Sequence, residues 1–117
     1  MPRIAKHSLR VDLIPGGRIG PGKINLLEQI EACGSISAGA RAIGMSYKRA
    51  WDLVEETGKI LGKPVLVAKT GGKSGGGAAL TPVGRALVTH YRAIEAATTP
   101  IVEAGFAQLE KEIEAAS

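Results

Sequence analysis

The stretch Gly34–Glu55, GSISAGARAIGMSYKRAWDLVE, decides the fold. It divides into a short helix rich in small residues, a turn, and the start of a longer helix. Ser37 is placed to cap the first helix, Ala38–Ile43, and Gly44 supplies the turn because a left-handed conformation costs glycine nothing. Ser46 caps the second helix, which runs from Tyr47 to about Leu61 with Ala50, Leu53, Val54 and Thr57 on its inner face. Small residues at Ala38, Gly39, Ala40 and Ala42 let two helix axes cross closely, and Tyr47, Lys48 and Arg49 put polar and basic groups at the start of the second helix. That is the pattern of a helix-turn-helix whose second helix enters a DNA major groove by its amino-terminal end. Trp51 lies one turn beyond Tyr47 on the same face. It either packs against a neighbouring element or faces DNA.

The flanking sequence extends the pattern. Upstream, Leu9, Val11 and Leu13 alternate with polar residues, so His7–Ile14 reads as a strand ended by Pro15-Gly16-Gly17. Gly20-Pro21 opens a helix with an apolar face of Ile24, Leu26, Leu27, Ile30 and Cys33, stopped by Gly34. Burial is expected for Cys33. Downstream, Val65–Lys69 and Ala78–Leu80 read as two strands joined by the glycine-rich tip Thr70–Gly77, with Lys69 and Lys73 beside or within it. A hairpin directly after the second helix makes the motif winged, with a tip able to lie against a phosphate backbone. Thr81-Pro82 then caps and starts another helix. Val83, Leu87, Tyr91 and Ile94 form one stripe on it, and Val102, Phe106, Leu109 and Ile113 repeat the spacing beyond Pro100, where a break is expected.

The 117 residues suit one domain with an appended element. Charge is uneven: net +2 over residues 1–40, +6 over 41–94 and −4 over 95–117. A basic middle points to a polyanion, and the acidic end is repelled by phosphate. A single cysteine excludes a disulfide framework and any CxxC metal site. His7 and His90 lack metal-ligand spacing, so no metal is expected. Gly72-Lys73-Ser74 matches only the end of a phosphate-binding loop: Val67 stands where its first glycine is needed, and the chain is not expected to be an enzyme. No apolar run approaches the roughly 18 residues of a membrane span, and a cytoplasmic location without membrane contact is expected.

Two stretches carry a resemblance: LLEQIEACGSISAGARAIGMSYKRAWDLVE and TGGKSGGGAALTPVGRALVTHYR. From about Lys23 to Ile94 the chain resembles the amino-terminal DNA-binding domain of the bacterial molybdate-responsive transcriptional regulator. Through Gly-Ser-Ile-Ser and Leu-Thr-Pro-x-Gly it also resembles LysR-type regulators more broadly. The resemblance implies an α+β, mostly helical winged helix-turn-helix over residues 1–80 (wing about 65–80), and a helical dimerisation segment over 81–117. It places base contacts on Ser46, Tyr47, Lys48, Arg49 and Trp51, phosphate contacts on Ser35 and Ser37, and wing contacts on Lys69, Lys73 and Ser74. The implied partners are double-stranded DNA and a second copy of the chain, joined through Val83, Leu87, Tyr91, Ile94, Val102, Phe106 and Leu109. The chain ends about twenty residues past the helix after the wing, which leaves no room for the regulator's molybdate-binding domains. No cofactor is therefore expected, and neither is molybdate binding by this chain. The functional reading is a sequence-specific regulator. The alternative is an architectural or protein-interaction module on the same fold, without sequence preference.

Overall fold

The computed structural model describes residues 3–69 and 76–116. The elements run β1 (Val11–Leu13), β2 (Gly17–Ile19), α1 (Pro21–Cys33), α2 (Ile36–Ala42), α3 (Tyr47–Leu61), β3 (Leu66–Lys69), β4 (Gly77–Leu80) and α4 (Pro82–Ala115). Both sheets are two-stranded and antiparallel, with Val11 opposite Ile19 in the first and Leu66 opposite Leu80 in the second. Three helices, a hairpin after the third and a long closing helix are the arrangement expected of a winged helix-turn-helix.

Two glycines explain why the sequence folds this way. Gly39 brings α2 onto α1 so closely that an added Cβ would lie 2.7 Å from the Ile30 backbone nitrogen. Gly84 does the same for α4 at the foot of β3, where a Cβ would fall on the carbonyl oxygen of Val65, the residue just before the strand. The Leu-Thr-Pro-x-Gly run thereby acquires a physical meaning. Leu80 is buried in the core. The Thr81 hydroxyl accepts from the Gly84 amide at 3.1 Å and donates to the Pro64 carbonyl at 2.8 Å. Pro82 needs no helical N–H, and Gly84 clears the strand. The main core joins Leu26, Leu27 and Ile30 of α1 to Ala40, Ala50, Leu53, Val54, Val65 and Leu80. A second cluster joins Ile19 and Ile24 to Tyr91.

Several expectations need correction. The first strand is shorter than His7–Ile14, and its partner β2 was not anticipated. The chain reverses through a cis Ile14–Pro15 bond and two glycines with positive φ, Gly16 and Gly17, so what reads as a strand terminator is the turn of a hairpin. α2 starts two residues early. Ser35, not Ser37, is its cap, accepting from the Ala38 amide at 3.0 Å, and Ser37 is exposed within the first turn. Cys33 is exposed, because α1 ends there and Gly34 turns the chain away from the face that Ile30 buries. α4 continues through Pro100 as one helix of 34 residues. The proline removes one amide donor without ending the helix. In the turn before it, Thr98 and Thr99 hydroxyls bond the Ile94 and Glu95 carbonyls at 2.8–3.1 Å.

Two arginines tie α4 to α1: Arg85 reaches Glu31 at 3.2 Å, and Arg92 is the more heavily bonded. Arg92 makes a two-pronged contact with Glu28, at 3.0 and 2.6 Å, and also reaches Glu95 and Asn25, each at 2.8 Å. These carboxylates hold the guanidinium protonated even more firmly than usual. It also lies 5.7 Å from the centre of the Tyr91 ring. Lysine cannot reproduce a planar two-pronged contact. Arg92→Lys is therefore expected to cost about 1 kcal/mol of stability, since the site is partly open to solvent. Urea titration checks this, and an unchanged midpoint contradicts it.

Candidate nucleic-acid interface

The helix-turn-helix holds its exposed groups through caps. The Ser46 hydroxyl accepts from the Arg49 amide at 3.2 Å, fixing the first turn of α3, as Ser35 fixes that of α2. Each capping oxygen uses a lone pair and keeps its own proton, so both hydroxyls can still donate to a phosphate oxygen. Beyond the Ser46 cap, Tyr47, Lys48 and Arg49 are all exposed, while Ala50, Leu53, Val54 and Thr57 turn into the core. Buried Thr57 is satisfied by the Leu53 carbonyl at 2.7 Å.

Tyr47 is 57% and Trp51 47% exposed, one turn apart. Trp51 is divided between two surroundings. Part of it is open to solvent, and part lines a groove of about 650 Å³ shared with Ile36, Val54, Pro64, Val65 and Leu66, between α3 and β3. Lys69 is exposed at the end of β3. Lys73 and Ser74 lie outside the described residues.

The pairing of cations is the informative electrostatic feature. Arg3, Arg18, Lys23, Arg85 and Arg92 each sit within 4 Å of a carboxylate. So does Lys48, 3.2 Å from Asp52, but both side chains are open to water and a helix-surface pair of this kind contributes only about 0.3–0.5 kcal/mol. Lys48 can exchange Asp52 for a phosphate at little cost. Among the described residues, Arg41, Arg49, Lys59, Lys63 and Lys69 have no carboxylate partner and all are exposed. They belong to α2, α3, β3 and the turn after α3; outside these elements Lys6, Arg10 and Lys111 are, among the described residues, unpaired and exposed as well. Arg41, Lys59 and Lys63 were not singled out from the sequence. The signal was the excess of cations in residues 41–94, but linear order does not show which of them find carboxylates.

The stripe on α4 divides in two. Tyr91 is only 3% exposed, and its hydroxyl, pushed up in pKa chiefly by burial, donates to the Leu9 carbonyl at 2.7 Å. Leu87 packs against both core clusters, and Val83 is half-buried. Tyr91 and Leu87 are occupied within the chain. Farther along, Ile94, Phe106, Leu109 and Ile113 are exposed and Val102 is half-buried. His90 is exposed on the same helix.

Among the described residues, no group of three or more His, Cys, Asp or Glu could hold a metal ion. No described helix is long and apolar enough to cross a membrane.

No family model matches the chain. Individual proteins do. The chain is 48% identical over 87 residues to the molybdenum-pterin-binding protein MopB of Rhodobacter capsulatus, a match covering 74% of this chain and 32% of that protein. It carries a domain related to the ModE, MopA and MopB proteins. MopA of the same organism, also named a molybdenum-pterin-binding protein, is 38% identical over 113 residues, covering 94% of this chain and 42% of MopA. The DNA-binding transcriptional dual regulator ModE of Escherichia coli is 45% identical over 71 residues, covering 61% of this chain and 27% of ModE. The chain thus spans about a third of the length of the curated relatives it matches. The domain related to ModE and the Mop proteins includes the greater part of the chain described above.

Proposed function

We propose that this chain is a DNA-binding transcriptional regulator that acts as a homodimer and reads a specific sequence. The observation that carries the reading is the first turn of α3. Tyr47, Lys48 and Arg49 are exposed there on a capped helix, and Arg49 has no carboxylate partner among the described residues. The relatedness to ModE, which is named a DNA-binding regulator, supports the same conclusion. In this reading α3 lies in the major groove with Ser46, Tyr47, Lys48, Arg49 and Trp51 toward the bases. Ser35 and Ser37 hold phosphate at the start of α2. Lys69, Lys73 and Ser74 rest on the backbone beside it. Two copies associate through α4, chiefly by the exposed part of its stripe, Ile94, Val102, Phe106 and Leu109, with Val83, Leu87 and Tyr91 supporting it from the core. Such a protein works in the cytoplasm, and the reading needs neither a cofactor nor a catalytic group.

Selection from a random duplex pool, followed by sequencing of the bound fraction, tests this. A two-fold symmetric site is expected, with half-sites about one helical turn or a multiple apart. A bound pool with no enriched sequence would replace specific regulation by an architectural role. Lys73→Ala is expected to weaken binding to all duplexes alike and to lower the slope of log affinity against log salt by about 0.9, the contribution of one phosphate contact. An unchanged slope would remove Lys73 from the interface.

A further inference from the structure

Residues 3–10 form an extended strap with no strand beside it. Its exposure alternates: Ala5, His7 and Leu9 are half-buried, while Ile4, Lys6, Ser8 and Arg10 are exposed. Three contacts fasten it along α4. Tyr91 donates to the Leu9 carbonyl at 2.7 Å, Thr98 Oγ1 lies 3.0 Å from His7 Nε2, and Arg3 Nε lies 2.7 Å from Glu110 Oε1. The strap therefore runs antiparallel to α4. It holds three cations and no carboxylate. Arg3 already pairs with an acid of the α4 arm, whereas Lys6 and Arg10 have no carboxylate partner among the described residues.

The strap borders the exposed apolar stripe. A small cavity between strap and helix is lined by Ile4, Lys6, His7, Thr99 and Glu103, together with Glu95, whose carboxylate is held by Arg92 at 2.8 Å. Val102 lies three positions beyond Thr99 and Phe106 three beyond Glu103, so each stripe residue neighbours a lining residue on the helix surface. Strap and stripe thus form the wall and floor of one trough. The arm beyond Pro100 has the complementary character, with four glutamates and one lysine besides its apolar stripe.

We propose that this trough receives the α4 arm of a second copy running antiparallel, with Lys6 and Arg10 of the strap meeting Glu112 and Glu114 of the partner subunit. The proposal rests on the dimer reading above and adds the strap as its clamp. Charge selects the orientation: parallel arms would lay acid on acid, whereas antiparallel arms lay the acidic end on the basic strap. The apolar spacing fits the same orientation. An antiparallel pair centred on Ala104 sets Val102 opposite Phe106 and brings Ile113 opposite the Ile94–Glu95 turn. Gly105 is exposed and carries no side chain, so it leaves room for the axes to approach at the centre. Residues 94–114 would then pair over about 31 Å. The acidic end of each arm would fall beside Tyr91–Thr98 of the other, the region along which Leu9 and His7 of the strap lie.

Sedimentation equilibrium at low salt on the full chain tests this with four proteins: wild type, Lys6→Glu/Arg10→Glu, Glu112→Lys/Glu114→Lys, and all four substitutions together. All altered residues are exposed, and thermal melts check that each protein folds. The expected result is a wild-type dimer, a dimer Kd raised roughly tenfold or more by either pair of reversals, and recovery when both pairs are combined. An unchanged Kd in the Lys6/Arg10 variant overturns the clamp and leaves the dimer standing. A combined variant no tighter than its parents overturns the assigned pairing. A wild type that stays monomeric overturns the dimer reading, and the clamp falls with it.

Discussion

Gly84→Ala is expected to destabilise the fold by about 3 kcal/mol, the upper part of the range for forcing extra volume into a packed site. The added methyl would meet the Val65 carbonyl oxygen rather than a movable side chain tip. Relief requires the start of α4 to lift from β3. That would stretch the Thr81 hydroxyl bond to the Pro64 carbonyl and the Thr81 amide bond to the Val65 carbonyl, now 2.8 and 2.9 Å. The melting temperature should fall by on the order of 10 °C. Differential scanning calorimetry decides it, with Gly22→Ala as the control. Gly22 also lies near a helix start, but a Cβ there would meet nothing within 4 Å. Equal melting points for the two variants would show that the close approach of α4 to β3 is not what the glycine provides.

Arg49→Ala should have the largest effect on binding, lowering affinity for the selected duplex by about 10- to 100-fold, or roughly 1–3 kcal/mol. Its side chain leaves the first turn of α3 and has no carboxylate partner among the described residues, so its loss frees no internal partner that could compensate. Lys48→Ala provides the comparison. Lys48 is shared with Asp52, and removing it also exposes that carboxylate to DNA. Fluorescence anisotropy on the cognate duplex and on single-base variants separates two roles. A base contact loses discrimination at one position, whereas a phosphate contact weakens every duplex alike. Unchanged affinity for all of them would remove Arg49 from the interface.

Local chemistry was legible at most places where one residue decides one element, Pro100 inside α4 being the exception. Pro21, Gly34, Ser46 and Pro82 marked helix ends that the structure places within a residue or two. The 3-4 spacing of Ala50, Leu53, Val54 and Thr57 identified the buried face of α3. Two serines two residues apart were harder. Ser35 and Ser37 have the same capping chemistry, and only the backbone direction leaving Gly34 selects Ser35. Pro15-Gly16-Gly17 reads as a stop because a three-residue β2 is too short to show alternation. The α4 stripe is continuous in sequence, but periodicity gives a face and not its occupant. Tyr91 is claimed by the chain's own Leu9, 82 residues away, while Ile94 is left in solvent. The same limit hid the cations. Arg92 and Arg49 are equivalent in a charge count, yet the fold supplies Glu28, Glu95 and Asn25 only to the first.

The protruding arm also changes how the molecule tumbles and sediments. Its extents are 64 × 32 × 22 Å and its radius of gyration is 18.1 Å, against about 13 Å for a compact chain of this length. By the same scaling, 18.1 Å suits a compact protein of about 250 residues, roughly twice this one. A single copy would therefore leave a gel-filtration column early, where a globular dimer elutes, and its rotation would be strongly anisotropic. Elution volume would report the shape of one rod-like chain as though it were the mass of two. Only methods that weigh the particle without regard to its outline can count the copies.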